Sequence, residues 1–126
     1  MTATQIRTDA APAPAGAYSQ GLAAGPFVFT AGMGPLDPAT RAVLGDTVAE
    51  QTDVVLDHLE SILSERGLGL GDVVKMTVHL QNLQRDFAEF DAAYRRRMSE
   101  PYPVRTTVGS DLNRILVEID AIALVR

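Results

Sequence analysis

The chain has 126 residues, the length of one domain built around a single core. Its formal charge of −5 disfavours nucleic acids as ligands, since these bind to basic surfaces. The absence of cysteine excludes disulfides and thiolate chemistry. No secretory signal and no apolar run near the ~20 residues of a membrane span are evident. We therefore expect one domain over residues 1–126, in the cytoplasm, with no membrane partner.

The N-terminal part predicts strands joined by an extended connector. Residues 1–7 suit a short edge strand, and the Ala- and Pro-rich residues 8–16 cannot sustain a helix. Gly21 has the character of a turn residue. Residues 27–31 (FVFTA) form a strong strand signal, which ends at Gly32.

Two glycines follow that strand. Gly32 and Gly34 leave backbone N–H groups open to close approach by a ligand, although a plain turn explains them equally well. Beyond a loop, residues 42–44 (AVL) predict a short returning strand.

The first predicted helix begins at a capping box formed by Thr47 and Glu50 and ends at Gly67. His58 falls on its mostly polar side, and no second metal ligand follows at the i+4 position, so we expect no metal site. The apolar stripe has helical spacing and predicts an amphipathic helix lying on a sheet. Its members are Val48, Thr52, Val55, Leu56, Leu59, Ile62 and Leu63.

A strand and a second helix follow. Residues 74–81 alternate, with Val74, Met76, Val78 and Leu80 on one face and Lys75, Thr77, His79 and Gln81 on the other. Lys75 and His79 could form a catalytic pair, but solvated or interface positions suit them better. Asp86 is the predicted cap of the second helix, with Glu89 at the capping-box position. The predicted buried stripe of that helix is Phe87, Phe90, Tyr94 and Met98.

The last quarter of the chain carries a charged residue in each of two strand-like runs. Arg105 shares a strand face with Thr107, and Glu118 lies within an apolar run. Burial makes an unpaired charge costly, so each needs a partner charge, a subunit interface or a ligand. The two could form a structural ion pair, or Arg105 could bind a carboxylate.

The order of elements predicts the layers. A strand–helix–strand crossover into the Arg105 strand should be right-handed and parallel, with both helices on one face of a mixed sheet. The other face would carry either Arg105, Thr107, Lys75 and His79 or the residues opposite them. Because no third layer is available to cover it, we expect an oligomer.

Five blocks of the sequence together resemble one family. They are residues 11–20 (APAPAGAYSQ), 31–38 (AGMGPLDP), 72–78 (DVVKMTV), 103–108 (PVRTTV) and 117–123 (VEIDAIA). In this order they are similar to the RidA/YjgF family of imine and enamine deaminases. The resemblance implies an α+β, chorismate-mutase-like fold: a six-stranded mixed sheet with two helices on one face. It also implies a homotrimer with ligand sites at the subunit clefts.

The same resemblance implies a reaction and a site. The substrates would be short-lived enamines and imines of the 2-aminoacrylate type, hydrolysed to 2-keto acids and ammonia without cofactor or metal. Arg105 would bind the substrate carboxylate and Glu118 would position water. The other implied contacts to the substrate are Tyr18, Ala31, Gly32, Asp91 and Thr107.

The sequence departs from the family pattern at two places. Met33 and Gly34 replace a Gln-Ile pair before Pro35, and Asp91 falls where Asn is common. A carboxylate at position 91 would repel the substrate unless it is protonated or turned away. Two alternatives stay open: a non-catalytic ligand-binding or regulatory protein, and a deaminase for a larger unsaturated amino acid such as 2-aminomuconate.

Overall fold

The computed structural model describes residues 2–126 and contains six strands and two α-helices. The strands are β1 (Thr4–Ile6), β2 (Gly21–Ala24), β3 (Phe27–Thr30), β4 (Val73–Leu80), β5 (Val104–Gly109) and β6 (Val117–Leu124). The helices are α1 (Val48–Ser64) and α2 (Leu83–Arg97), and a short 3₁₀ helix (Leu70–Asp72) precedes β4. The expected edge strand is thus found as β1, and Met1 lies outside the described residues.

All six strands form one mixed sheet in the order β1-β2-β3-β6-β4-β5. Neighbouring strands are antiparallel except β4 and β5, which are parallel and joined by α2. This confirms the parallel crossover into the Arg105 strand. It also makes β5 an edge strand, with only β4 beside it.

Helix α1 follows the sequence prediction. The Thr47 hydroxyl accepts from the backbone N–H of Glu50 and the Glu50 carboxylate accepts from that of Thr47, which completes the capping box. Gly67 has a φ of +69°, in the left-handed region expected at a helix end. Every residue of the predicted apolar stripe is buried. His58 was placed wrongly on the polar side: it is buried, and its Nε2 lies 2.7 Å from the Leu36 carbonyl oxygen.

Helix α2 begins earlier than predicted. Its N-cap is Asn82, and Asp86 lies inside the first turns, where its carboxylate binds Arg85 instead of capping the helix. Phe90, Tyr94 and Met98 are buried as expected. Phe87 is not, because it lies on the solvent side of the stripe with 42 % of its surface exposed.

Three smaller strand predictions also need correction. Gly21 begins β2 and does not form a turn. A glycine is needed there because a Cβ would lie 3.0 Å from the Ile62 side chain and 3.2 Å from a strand carbonyl. Residues 42–44 form no strand, only an isolated bridge between Leu36 and Val43. Val74 is exposed because a register irregularity between Val73 and Lys75 turns it away from the core.

Both helices cover one face of the sheet, and the core lies between them and the sheet. We call the opposite side the open face. It carries several apolar side chains that are 37–67 % exposed, namely Leu22, Phe27, Phe29, Val104, Val108 and Leu124. Lys75 and His79 lie on this open face. Arg105 and Thr107 point toward the helices, so the prediction that these four residues share one face was wrong.

Candidate functional site

Arg105 lies on edge strand β5 and points toward helix α2. Its register partner on the parallel strand β4 is Met76, a fully buried residue on the helix side of the sheet. Side chains of register partners share a face, so the Arg105 side chain enters the layer between β5 and α2. Its side chain is 19 % exposed, which makes this a largely desolvated guanidinium.

Aromatic rings and one carboxylate surround this guanidinium. Its central carbon lies 4.7 Å from the ring centroid of Tyr94, 5.3 Å from that of Phe90 and 5.8 Å from that of Phe87. Rings at these distances favour a cation by their negative faces. Arg105 Nη1 donates to Asp91 Oδ1 at 2.9 Å. The ion pair of Arg105 with Glu118, one of the alternatives left open by the sequence, is therefore not formed within the chain; Asp91 is the partner.

The Asp91 carboxylate bridges two guanidinium groups. Its other oxygen, Oδ2, accepts from Arg95 Nη2 at 3.1 Å. Partial burial acts to raise the pKa of Asp91, but hydrogen bonds and charge from Arg105 and Arg95 outweigh it and lower that pKa below its usual value. Asp91 is thus ionised at neutral pH and directed at Arg105, neither protonated nor turned away.

A cavity of about 270 Å³ adjoins this ion pair. Its walls are Asp91, Tyr94, Arg95, Tyr102, Pro103 and Arg105. The Tyr94 side chain is 4 % exposed, and its hydroxyl has no hydrogen-bond partner among residues 2–126. A buried hydroxyl without a partner is costly, and this one is closed off from the cavity because its oxygen has essentially no accessible surface.

Glu118 lies elsewhere, on the open face. Its neighbours Val117 and Ile119 are fully buried on the helix side, so the Glu118 side chain points the other way. It packs against Gly32, where an added Cβ would lie only 2.7 Å from Glu118 Oε2. Gly32 is therefore a position of close approach, although the group that approaches it within the chain is Glu118.

Two further predicted site residues, Tyr18 and Ala31, lie in the N-terminal part of the chain. Tyr18 is 48 % exposed, and its hydroxyl accepts a hydrogen bond from the Ala15 backbone N–H at 3.0 Å. Ala31 follows β3 and donates its N–H to the Gln20 carbonyl oxygen at 2.8 Å. Ala31 directly precedes Gly32 and so lies near Glu118.

The sheet separates the two groups of site residues. Thr107 faces the helices, as Arg105 does, because its register partner is the buried Val78. Glu118 lies opposite His79 on β4, three residues beyond Met76, the partner of Arg105. From strand geometry, the backbones of Arg105 and Glu118 are roughly 14 Å apart, and their side chains leave opposite faces. One chain therefore does not bring the two together.

Lys75 and His79 do not form a catalytic pair. Lys75 Nζ donates to the Thr106 hydroxyl at 2.9 Å, and His79 Nδ1 lies 2.7 Å from the Ser110 hydroxyl. Both side chains thus tie β4 to β5 or to the segment after it. Asp120 lies on the same open face, where burial raises its pKa against the lowering effect of His79 and Lys75.

Sequence reasoning missed four residues of the cavity wall: Tyr94, Arg95, Tyr102 and Pro103. Tyr94 was predicted to belong to the core, and it is buried. The side chain of Arg95 is 69 % exposed, and its guanidinium binds Asp91. The i, i+4 spacing of Asp91 and Arg95 was a usable signal, since oppositely charged residues at that spacing face each other on a helix.

Comparison with known proteins decides the family. Residues 8–125 match the family model described as Endoribonuclease L-PSP. A RutC family protein from Pyrococcus abyssi is 41 % identical over 125 residues, covering 98 % of each chain. The 2-iminobutanoate/2-iminopropanoate deaminase of Salmonella typhimurium is 39 % identical over 126 residues, covering 96 % of this chain and 97 % of the deaminase. The chain belongs to the RidA/YjgF family.

The fold of this family member agrees with that assignment. The crystal structure of RidA from an Antarctic Psychrobacter superposes with a TM-score of 0.90 at 35 % identity, over 97 % of this chain and 99 % of that one. The six-stranded mixed sheet with two helices on one face is thus confirmed as the RidA/YjgF fold. None of the helices within residues 2–126 has the length and apolar character needed to cross a bilayer.

Proposed function

We propose that the protein is a deaminase that hydrolyses short-lived 2-imino acids, of the 2-iminopropanoate type, to 2-keto acids and ammonia. The observation that carries this proposal is the half-buried Arg105 guanidinium, whose Nε–Nη2 edge makes no hydrogen bond to any of residues 2–126 and which adjoins a small cavity. A carboxylate fits such an edge through two parallel charge-assisted hydrogen bonds. The similarity to a named imine deaminase supports the reaction.

The chemistry needs a positioned water and a proton carrier. The water oxygen adds to carbon 2 of the protonated imine, and the C=N bond becomes a single bond. In the proposal, Glu118 accepts a proton from that water and passes it to the nitrogen. As ammonia leaves and the C=O bond forms, Glu118 takes the remaining hydroxyl proton and gives it to the departing ammonia, which leaves as ammonium. Positioned proton transfer of this kind contributes typically ~10²–10⁴-fold in rate.

We further propose that the site is completed between copies of the chain, in a homotrimer. Arg105, Asp91 and Thr107 would come from one protomer, and Tyr18, Ala31, Gly32 and Glu118 from its neighbour. This arrangement would resolve the separation of the two groups by the sheet. The exposed apolar side chains of the open face also support it, because contiguous apolar surface of this kind marks interfaces.

The test is hydrolysis of iminopropanoate generated in situ by a serine dehydratase. Wild-type protein should speed pyruvate formation, and Arg105→Ala should abolish the gain, because the carboxylate loses the guanidinium edge that is proposed to bind it. Arg105→Lys should restore little, since an ammonium cannot bind both oxygens in parallel. Arg96→Ala is the matched control: Arg96 lies on the same helix as Asp91 but does not line the Arg105 cavity. Equal rates with wild type and Arg105→Ala would contradict the proposal.

A second candidate function is ligand binding without turnover, as in a regulatory trimer. The observation that favours it is the Asp91–Arg105 ion pair, which occupies one guanidinium nitrogen that a substrate would otherwise reach. Under this alternative the protein binds small carboxylic acids in an Arg105-dependent manner, while the rate of imine hydrolysis stays at the uncatalysed level.

A further inference from the structure

The groups around the Arg105 cavity have unused hydrogen-bonding capacity of both signs. The Arg105 guanidinium has five N–H donors, and within residues 2–126 one of them is bonded, to Asp91. The Asp91 carboxylate has about four acceptor positions. Two of these are taken, one by Arg105 and one by Arg95. The cavity can therefore both donate to an anion and accept from a cation.

The charged groups of the cavity wall favour a ligand that carries both a negative and a positive charge. Arg105 and Arg95 together would attract any carboxylate, but Asp91 binds both guanidinium groups and balances one of their two charges. A ligand whose only charged group is a carboxylate binds the Arg105 guanidinium but also lies close to the Asp91 anion. The repulsion between the two carboxylates disfavours the binding of such a ligand. A ligand with an adjacent N–H cation gains from both groups. In a 2-iminium acid, three bonds join the nitrogen to a carboxylate oxygen, so the ligand's own charges are as close as those of the protein pair.

We infer that Asp91 selects zwitterionic 2-iminium acids, with the substrate carboxylate on Arg105 and the N–H of the cation on Asp91. This inference rests on the proposed function, because it names the protonation state and class of that site's ligand. Asp91 is here a substrate-binding residue that donates no proton and stays ionised. By accepting from the nitrogen it favours the protonated imine, which is the form that water attacks.

The experiment compares two stable ligands by NMR titration of the wild-type protein and of Asp91→Asn. Alanine and lactate share size and carboxylate, and differ in an ammonium or a hydroxyl on carbon 2; each is used as both enantiomers. We expect wild type to bind alanine more tightly than lactate. Asp91→Asn keeps the shape of the side chain and removes its charge. The affinity for alanine should therefore fall about 10-fold, while lactate binds equally or more tightly.

Asp57→Asn is the matched control. Asp57 also pairs with an arginine, since its Oδ1 lies 2.7 Å from Arg97 Nη2, but it lies on α1, outside the cavity. The ratio of alanine affinity to lactate affinity in Asp57→Asn should equal that of wild type. The inference is overturned if Asp91→Asn changes both affinities by the same factor or changes neither. It is also overturned if wild type binds lactate as tightly as alanine, or binds neither ligand.

These outcomes separate the inference from the proposed function. Suppose that catalysis depends on Arg105 but that the ratio of alanine affinity to lactate affinity is unchanged in Asp91→Asn. The inference about Asp91 would then be wrong, while the proposed deaminase function would stand. If the affinity ratio changes in Asp91→Asn but the protein does not hydrolyse imines, the proposed deaminase function would be wrong, while the inferred class of ligand would stand.

Discussion

Gly32 and Glu118 fit each other at the level of single atoms. The carboxylate end of Glu118 occupies the space that any side chain at position 32 would need, with 2.7 Å between Oε2 and the position of an added Cβ. The neighbouring backbone is fixed by a bridge in which the Met33 N–H donates to the Ile119 carbonyl oxygen at 2.8 Å. The direction in which Glu118 points is therefore set by the absence of a side chain at Gly32.

We predict that Gly32→Ala inactivates the protein without unfolding it. The new methyl group displaces the flexible Glu118 carboxylate, and a displacement near 1 Å costs about 100-fold in rate. The free energy of unfolding should fall by less than ~1.5 kcal/mol, because the end of Glu118 can swing away. Activity assays and thermal melts measure the two effects.

Gly69→Ala serves as the control, since a Cβ at Gly69 meets nothing within 4 Å. It should leave the rate of imine hydrolysis unchanged. Full activity in Gly32→Ala would mean that Glu118 need not hold this orientation.

Among the elements, α1 and α2 are joined at their exposed sides by Arg97. This residue, the last of α2, donates to the Asp53 carbonyl oxygen at 3.1 Å and to Asp57 Oδ1 at 2.7 Å, both on α1. Its side chain is 25 % exposed, so these bonds are partly shielded from water. The contact fixes α2 over β5, and through it the position of Asp91 above Arg105.

We predict that Arg97→Ala lowers the free energy of unfolding by about 1–2 kcal/mol, because three charge-assisted bonds between the helices are lost, two to Asp53 and one to Asp57. Chemical denaturation measures this change. The neighbouring Arg96→Ala should change stability by less than ~0.5 kcal/mol, as is usual for exposed surface positions. Equal stability of the two variants would show that α2 is held by its apolar stripe alone.

The elements also show where sequence reasoning succeeds. Helix α1 was predictable in detail because its capping box and apolar stripe are local signals that agree with each other. The start of α2 was not, since Asp86 has the character of a cap but is drawn into a pair with Arg85. Strand β2 was missed because Gly21 is selected by the crowding of Ile62, a residue distant in sequence.

For the whole molecule, the proposed reaction requires that Arg105 and Glu118 reach one substrate although they leave opposite faces of a sheet. A rotationally symmetric assembly brings different surfaces of neighbouring copies together, so one chain can supply both. Each copy would then contribute to two sites. The proposed homotrimer makes this a prediction about mixtures.

We predict that two inactive variants restore each other. Arg105→Ala and Glu118→Gln should each lack activity alone. After the two are unfolded together and refolded in equal amounts, about one quarter of randomly formed interfaces combine an intact Arg105 with an intact Glu118. Activity should return to about that fraction of wild type. The same variants refolded separately and then mixed form the control, and no recovery in the co-refolded sample would place the site within one chain.

At this scale the sequence offers candidate residues for the site but not their arrangement. Arg105 and Glu118 stand out as charges within apolar strands, and the family resemblance adds the others. The pairing of Arg105 with Asp91 was not foreseen, because it depends on how α2 packs on β5. The face to which Arg105 points follows from the register with Met76, which the sequence does not contain.

The Arg105–Asp91 pair also bears on how the protein behaves among the many anions of a cell. Chloride, acetate and phosphate are abundant, and a guanidinium without a counter-ion would hold one of them much of the time. Because Asp91 already supplies that counter-ion, such bystanders gain little by entering. A scarce and short-lived ligand would then not have to displace a bound anion before it contacts Arg105 and Asp91.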